Sequence, residues 1–206
     1  MVHPKKRTDL VIMSNILCNF ATRMGETNDI SQMLALLHEL QGIDFIRQLR
    51  LITERNEFSP LKTDPQIYTV GGEGGEDYLS LLEAARKAVE HGYRVFILPN
   101  PKGFRTADFI FERKGIYKMF DLKTIIGKNS VGNRLKESVG QTNSVLLNLK
   151  CNYGIRNITE EIRHHFETSP SAVEVLIFTG SKEISIKRNI ATSKGFLKMM
   201  MNSFRK

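Results

Sequence analysis

Cysteine is scarce in this 206-residue chain: Cys18 and Cys151 lie far apart, and no CxxC pair occurs. That argues against a disulfide framework and a cysteine zinc site, and it fits a reducing, cytoplasmic setting. Long apolar runs are missing as well, none approaching the ~20 residues a membrane span needs. Lys5-Lys6-Arg7 followed by Leu10–Met13 imitates the start of a signal peptide, but Asp9, Ser14 and Asn15 break the apolar stretch. There is no Cys/His finger and no aromatic RNA-recognition pattern, so residue types alone do not separate RNA from DNA as a partner. Acid is nearly absent from the tail: Gly180 to Lys206 holds seven basic residues and only Glu183 against them.

What is present is positive charge, unevenly placed. Residues 1–70 balance at 8 basic and 8 acidic side chains. Residues 71–206 carry 22 against 14, which accounts for the whole net charge of +8. A basic region releases counterions when it meets a polyanion, the usual electrostatic footprint of a nucleic-acid partner. A merely solvated basic surface is the plainer alternative.

Apolar spacing predicts a helical first third, residues 1–56, with one helix through Leu10, Met13, Leu17, Phe20 and Met24. A second runs from Asn28-Asp29 through Ile30 to Leu49, with Gly42 as a possible break. Nothing in these helices suggests chemistry, and His38 reads as a helix-surface residue. Pro60 and Pro65 predict a linker over 57–75. The Gly71–Asp77 run has the glycines of a phosphate cradle but three acids and no lysine, so it reads as a turn. Tyr78 to His91 is the next helix, stopped by Gly92.

Beyond it the period becomes strand-like: Arg94–Leu98, Ala107–Arg113 and Ile116–Thr124. Gly132–Leu149 then reads as a helix running into a short apolar strand, and Thr159–Phe166 as a further helix. Ala172–Phe178 and Glu183–Arg188 read as strands, with a basic, methionine-rich helix from Ala191 onward. This order describes an α/β sandwich around a mixed sheet, with residues 76–206 as one domain.

The two central strands carry the chemistry. If Lys114-Gly115 is a two-residue hairpin loop, Arg113 pairs with Ile116, and counting outward brings Asp108 opposite Asp121. Cross-strand partners share a face. Side chains alternate, so Lys123 shares Asp121's side while Phe120 and Leu122 point the other way. Two carboxylates and an ammonium converge within strands as apolar as Phe109-Ile110-Phe111. Adjacent buried acids repel and are costly to desolvate; a divalent cation relieves both problems, and oxygen ligands beside a phosphate suit Mg²⁺ (or Mn²⁺). Lys123 would hold the attacking water and offset transition-state charge. A cross-strand Asp–Lys pair on a solvated face is the competing reading; Asp108 and the charge bias count against it.

Thr106-Ala107-Asp108 followed by Phe120-Asp121-Leu122-Lys123 resembles the PD-(D/E)XK, restriction-endonuclease-like nuclease superfamily. More closely, residues 76–150 resemble the toxin nuclease domains of contact-dependent growth inhibition systems, many of which cleave tRNA. The matching stretches are Leu82–Ala85, His91-Gly92-Tyr93, Pro99 with Pro101-Lys102-Gly103, and Ala107–Ile110. Phe120–Lys123, Gly140-Gln141-Thr142 and Val145–Leu149 continue them. Alanine stands where the superfamily's proline precedes Asp108. The resemblance implies a mixed sheet flanked by helices, with a helix glutamate, matched by Glu83, completing the acidic cluster. Glu76 is the alternative third acid. It implies metal ligation by Glu83, Asp108, Asp121 and the Leu122 carbonyl, and a substrate- or water-positioning role for Gln141. Lys102, Lys187, Arg188 and Lys194 are the expected nucleic-acid contacts.

His164 and His165, being adjacent, make a poor metal pair, and Cys151 reads as a small buried residue. The expected function is metal-dependent phosphodiester hydrolysis in RNA, as a tRNA-cleaving, toxin-like domain delivered into a target cytoplasm, with an immunity or docking protein as partner. The alternatives are a DNA endonuclease of a phage or mobile element, and a binding or structural module that retains the sheet without cutting. In a further alternative the helical N-terminal part is the working portion, with the nuclease as its cargo.

Overall fold

The computed structural model describes residues 30, 33–34, 37, 40–71, 77–99, 106–127 and 130–205. The predicted helix through Leu10–Met24, Lys102 and Glu76 lie outside them. Eight strands form one mixed sheet in sequence order: β1 (Ser59–Pro60), β2 (Ile67–Thr69), β3 (Arg94–Ile97), β4 (Phe109–Arg113), β5 (Ile116–Ile125), β6 (Ser144–Leu149), β7 (Glu174–Thr179) and β8 (Lys182–Lys187). The helices among the described residues are α1 (Gly42–Thr53), α2 (Tyr78–Glu90), α3 (Val131–Glu137), α4 (Ile155–Thr168), α5 (Arg188–Ala191) and α6 (Phe196–Arg205). β2 and β3 run parallel, as do β5–β6 and β6–β7; the other neighbours are antiparallel. The predicted mixed α/β class is what forms.

The β4–β5 hairpin has the expected register, Arg113 pairing with Ile116 and Phe109 with Phe120. Lys114 and Gly115 both have positive φ, 56° and 77°, the backbone of a two-residue turn whose twist matches the flanking strands. Glycine tolerates that region without a Cβ penalty, and Lys114 accepts it alone.

One expectation fails, and another holds only in part, since the short apolar strand expected near Leu149 is present but the helix before it is shorter. Residues 57–75 are not a linker throughout: β1 and β2 extend the sheet, and Ile67 is fully buried. Pro60 is compatible because β1 is an edge strand, where a missing N–H costs no ladder bond. The long helix expected from Gly132 is only the seven residues of α3. Gly140, at φ 86°, turns the chain, and Ser144–Leu149 is a full central strand. A short, mostly apolar run, Val145 to Leu149 with only Asn148 polar, carries no period by which helix and strand can be told apart.

Side-chain alternation divides the core by face. One face packs Phe109, Phe111, Phe120, Leu146, Leu176 and Phe178 under the alanine stripe of α2, Ala84, Ala85 and Ala88. The opposite face carries two clusters. In one, Phe96, Leu98, Ile110, Tyr117 and Met119 meet Leu49 and Ile52 of α1. In the other, Ile125, Val145, Leu147, Val175 and Ile177 meet α3, α4 and α6. β5 belongs to both, through Met119 at one end and Ile125 at the other. Asp121 and Lys123 fall between those residues on the same face. The sequence's polar insertion therefore sits at the seam between two cores.

Candidate functional site

β5 changes partner in mid-course, pairing with β4 up to Phe120 and with β6 from Asp121 onward. Asp108 stands at that fork. Its amide donates to the Phe120 carbonyl (3.0 Å), and its own carbonyl accepts from Leu98 (2.9 Å). Its Oδ2 accepts the Leu122 amide at 2.6 Å, so a side chain replaces the ladder carbonyl just before β4 begins. Asp121, 2 % exposed, is held from the other side. The Lys123 Nζ donates to Oδ1 at 3.0 Å and lies 2.9 Å from Oδ2. Oδ2 itself is buried without a hydrogen bond.

The two carboxyls lie close enough for each to affect the other's titration. Burial is the main cause pushing Asp108 up to about 7; the Leu122 amide opposes it and the charge of Asp121 adds to it. Burial also raises Asp121, against the pull of Lys123. Such a pair titrates as a unit and resists carrying two charges unless a cation joins it. The chemistry of the donors, two buried carboxyls of hard oxygen, one oxygen of which meets the Lys123 ammonium without a well-formed hydrogen bond, fits Mg²⁺ or Mn²⁺.

The structure does not bring Glu83 to this pair. Glu83 lies on α2, which covers the other face, and its carboxylate meets Lys150 (2.5 Å) and Lys87 (3.5 Å). Among the described residues no group of three or more His, Cys, Asp and Glu side chains gathers to hold a metal. Gln141 lies in the turn after α3 rather than on a helix, and its Nε2 donates to the Glu137 carbonyl (3.3 Å). Its neighbour Thr142 donates to the Met119 carbonyl at 3.3 Å, which fixes this turn beside β5.

Arg188 also departs from expectation. Its guanidinium donates to the carbonyls of Phe166, Ser169 (2.6 Å), Pro170 (3.0 Å) and Ala172 (3.0 Å). It closes the C-terminal end of α4 and is spent on the protein's own backbone. Lys187 and Lys194 are exposed, as a phosphate contact requires.

Two residues of the neighbourhood were not singled out from sequence. Glu137 adds negative charge near Asp121 and helps raise it. Thr106, two residues before Asp108, has a buried hydroxyl with no hydrogen-bond partner. The Thr106-Ala107-Asp108 spelling was the available signal for Thr106; no spacing marked Glu137. His165 is buried while its neighbour His164 is exposed, and Cys151 is half-buried.

Residues 105–184 match the family model of the contact-dependent growth inhibition CdiA C-terminal domain. No curated protein is significantly similar in sequence. Among solved structures, the CdiA-CT/CdiI toxin and immunity complex from Burkholderia pseudomallei is similar at 15% identity and a TM-score of 0.40. That similarity covers 57% of this chain and 92% of the other.

Proposed function

We propose that this chain is a metal-dependent phosphodiesterase that cuts nucleic acid, deployed as a toxin domain of the contact-dependent growth inhibition type. The observation that carries the reading is the buried pair Asp108–Asp121 with Lys123 beside it, at the fork of β4, β5 and β6. Residues 105–184, the segment matching the family model, contain every one of these positions.

Asp108, Asp121 and the Leu122 carbonyl would hold Mg²⁺ or Mn²⁺. When bound, the ion supplies charge neutralisation at the phosphoryl group and lowers the pKa of a water nucleophile. The protein's own contribution is placement. The Leu122 amide fixes the Asp108 carboxyl, and Lys123 fixes that of Asp121. The Lys123 ammonium would also offset the negative charge that grows in an in-line displacement and orient water there. The net charge of +8 draws the polyanion in. RNA, and tRNA within it, is the proposed substrate, by the resemblance of residues 76–150 to tRNA-cleaving toxin domains. A nuclease of this kind would also need an inhibitory partner in the cell that makes it.

The deciding experiment incubates the pure chain with total tRNA, plasmid and single-stranded DNA, with Mg²⁺ or with EDTA. Cleavage of tRNA in Mg²⁺ alone is expected. Asp121→Ala and Lys123→Ala should each lower the rate at least ~100-fold while the proteins stay folded. Wild-type turnover by Asp121→Ala would sink the assignment.

A further inference from the structure

On the face of the sheet away from the aspartates, α2 and the end of β6 enclose a second polar cluster. Asn148, wholly buried, accepts a hydrogen bond on Oδ1 from the Lys87 Nζ (2.8 Å). Its Nδ2 is buried without a hydrogen bond of ordinary geometry, although it lies near enough to Glu83 to help keep that carboxyl ionised. Lys150, the residue after β6, holds Glu83 Oε2 at 2.5 Å, and Lys87 lies 3.5 Å from Oε1. Two ammoniums therefore meet one carboxylate, which is 41% exposed, with the Asn148 amide beside it. A native fold rarely leaves a buried amide donor unmatched, because the group then keeps its desolvation penalty with nothing to offset it.

We infer that Lys87, Asn148 and Lys150 form a phosphate-binding seat, filled in the free protein by the tethered carboxylate of Glu83. The donors match a tetrahedral anion better than a carboxylate. Held by both ammoniums, the carboxylate leaves Asn148 Nδ2 without a hydrogen bond of ordinary geometry. A phosphate spreads its oxygens over tetrahedral directions, so one can reach the amide while others keep both ammoniums. Glu83 can leave because its side chain is the most exposed of the group, while Asn148 is fixed within the sheet. With Glu83 displaced, the seat gains one unit of positive charge toward an incoming anion. The seat is separate from Asp108 and Asp121, which belong to the opposite face, and the inference does not rest on their activity.

The test uses the full chain in EDTA, so that no cleavage intervenes. Inorganic phosphate is titrated while the Asn148 side-chain amide is followed by NMR. Wild type should show a phosphate-dependent shift of that amide. Glu83→Gln, which keeps the side chain's shape but removes its charge, should bind phosphate about tenfold more tightly, and adding Lys150→Gln should reverse the gain. A single-stranded oligonucleotide arm identifies the source of the phosphate. A salt slope steeper by about 0.7 in Glu83→Gln assigns the seat to the nucleic-acid backbone, and an unchanged slope assigns it to a free phosphate. A cluster that only ties α2 to the sheet predicts a lower melting temperature in Glu83→Gln with no gain in phosphate affinity, and that result overturns the inference. Should Glu83→Gln fail to fold, Lys150→Gln alone decides: an Asn148 shift in wild type that survives in this variant, or no shift in wild type, also overturns it.

Discussion

At the scale of single residues, Asp108 shows how far the chain departs from its most stable form. The buried Asp108 carboxyl, raised to about 7 beside Asp121, keeps a proton that the unfolded chain releases near 3.8. Native protein thus holds more protons than unfolded protein between those values, and stability falls as pH rises through that window. Asp108→Asn should remove the effect, because its Oδ1 can still accept the Leu122 amide. Its melting temperature should exceed that of wild type at pH 8, by the equivalent of about 1–3 kcal/mol, and approach it near pH 4. The same variant should lose cleavage. Equal melting curves at pH 8 would contradict the burial of this carboxyl. The pair's protons also compete with a cation, so Mg²⁺ affinity should rise from pH 6 to pH 8, a titration readable by calorimetry.

Among the elements, α4 depends on a side chain that lies outside it. Arg188 donates to four carbonyls around the end of that helix, and its guanidinium lies 5.4 Å from the Phe166 ring centroid. Hydrogen bonds from a charged group contribute about 1.5–3 kcal/mol where they are enclosed. Arg188→Ala should therefore cost on the order of 2 kcal/mol in urea unfolding and leave nucleic-acid affinity nearly intact once the protein is folded. A loss of affinity without a loss of stability would return Arg188 to the interface. The α4 boundary was legible only in part, since Thr159–Phe166 covers the middle of a helix that runs from Ile155 to Thr168. Hydrophobic spacing marks the buried stripe of a helix and says little about exposed end turns.

For the whole molecule, charge and seam matter together. The acidic pair lies between two cores on a sheet whose fifth strand serves both. The basic excess lies in residues 71–206. Lys187 and Lys194, both exposed, should act as independent phosphate contacts. Replacing either with Glu should lower the slope of log affinity against log salt by about 0.7–0.9, measured with uncleaved oligonucleotide in EDTA. Arg188→Ala should leave that slope unchanged. Slopes that do not move in the lysine variants would make the tail an ordinary solvated surface.

The amino-acid sequence by itself determined the β4–β5 hairpin, its register and the convergence of Asp108, Asp121 and Lys123. These follow from local rules: a two-residue turn that needs positive φ, and side chains alternating with period two. Tertiary structure alone decided the fate of Glu83, Gln141 and Arg188. Their expected roles rested on which face a helix covers, where a turn is anchored and which backbone carbonyls lie within reach. No local period encodes those relations, because they arise when distant segments pack. The fork at Phe120–Asp121 belongs to the same class. Only the end of the β4 ladder at Phe109–Phe120 leaves the Leu122 amide to the Asp108 carboxylate, and so sets the two acids side by side.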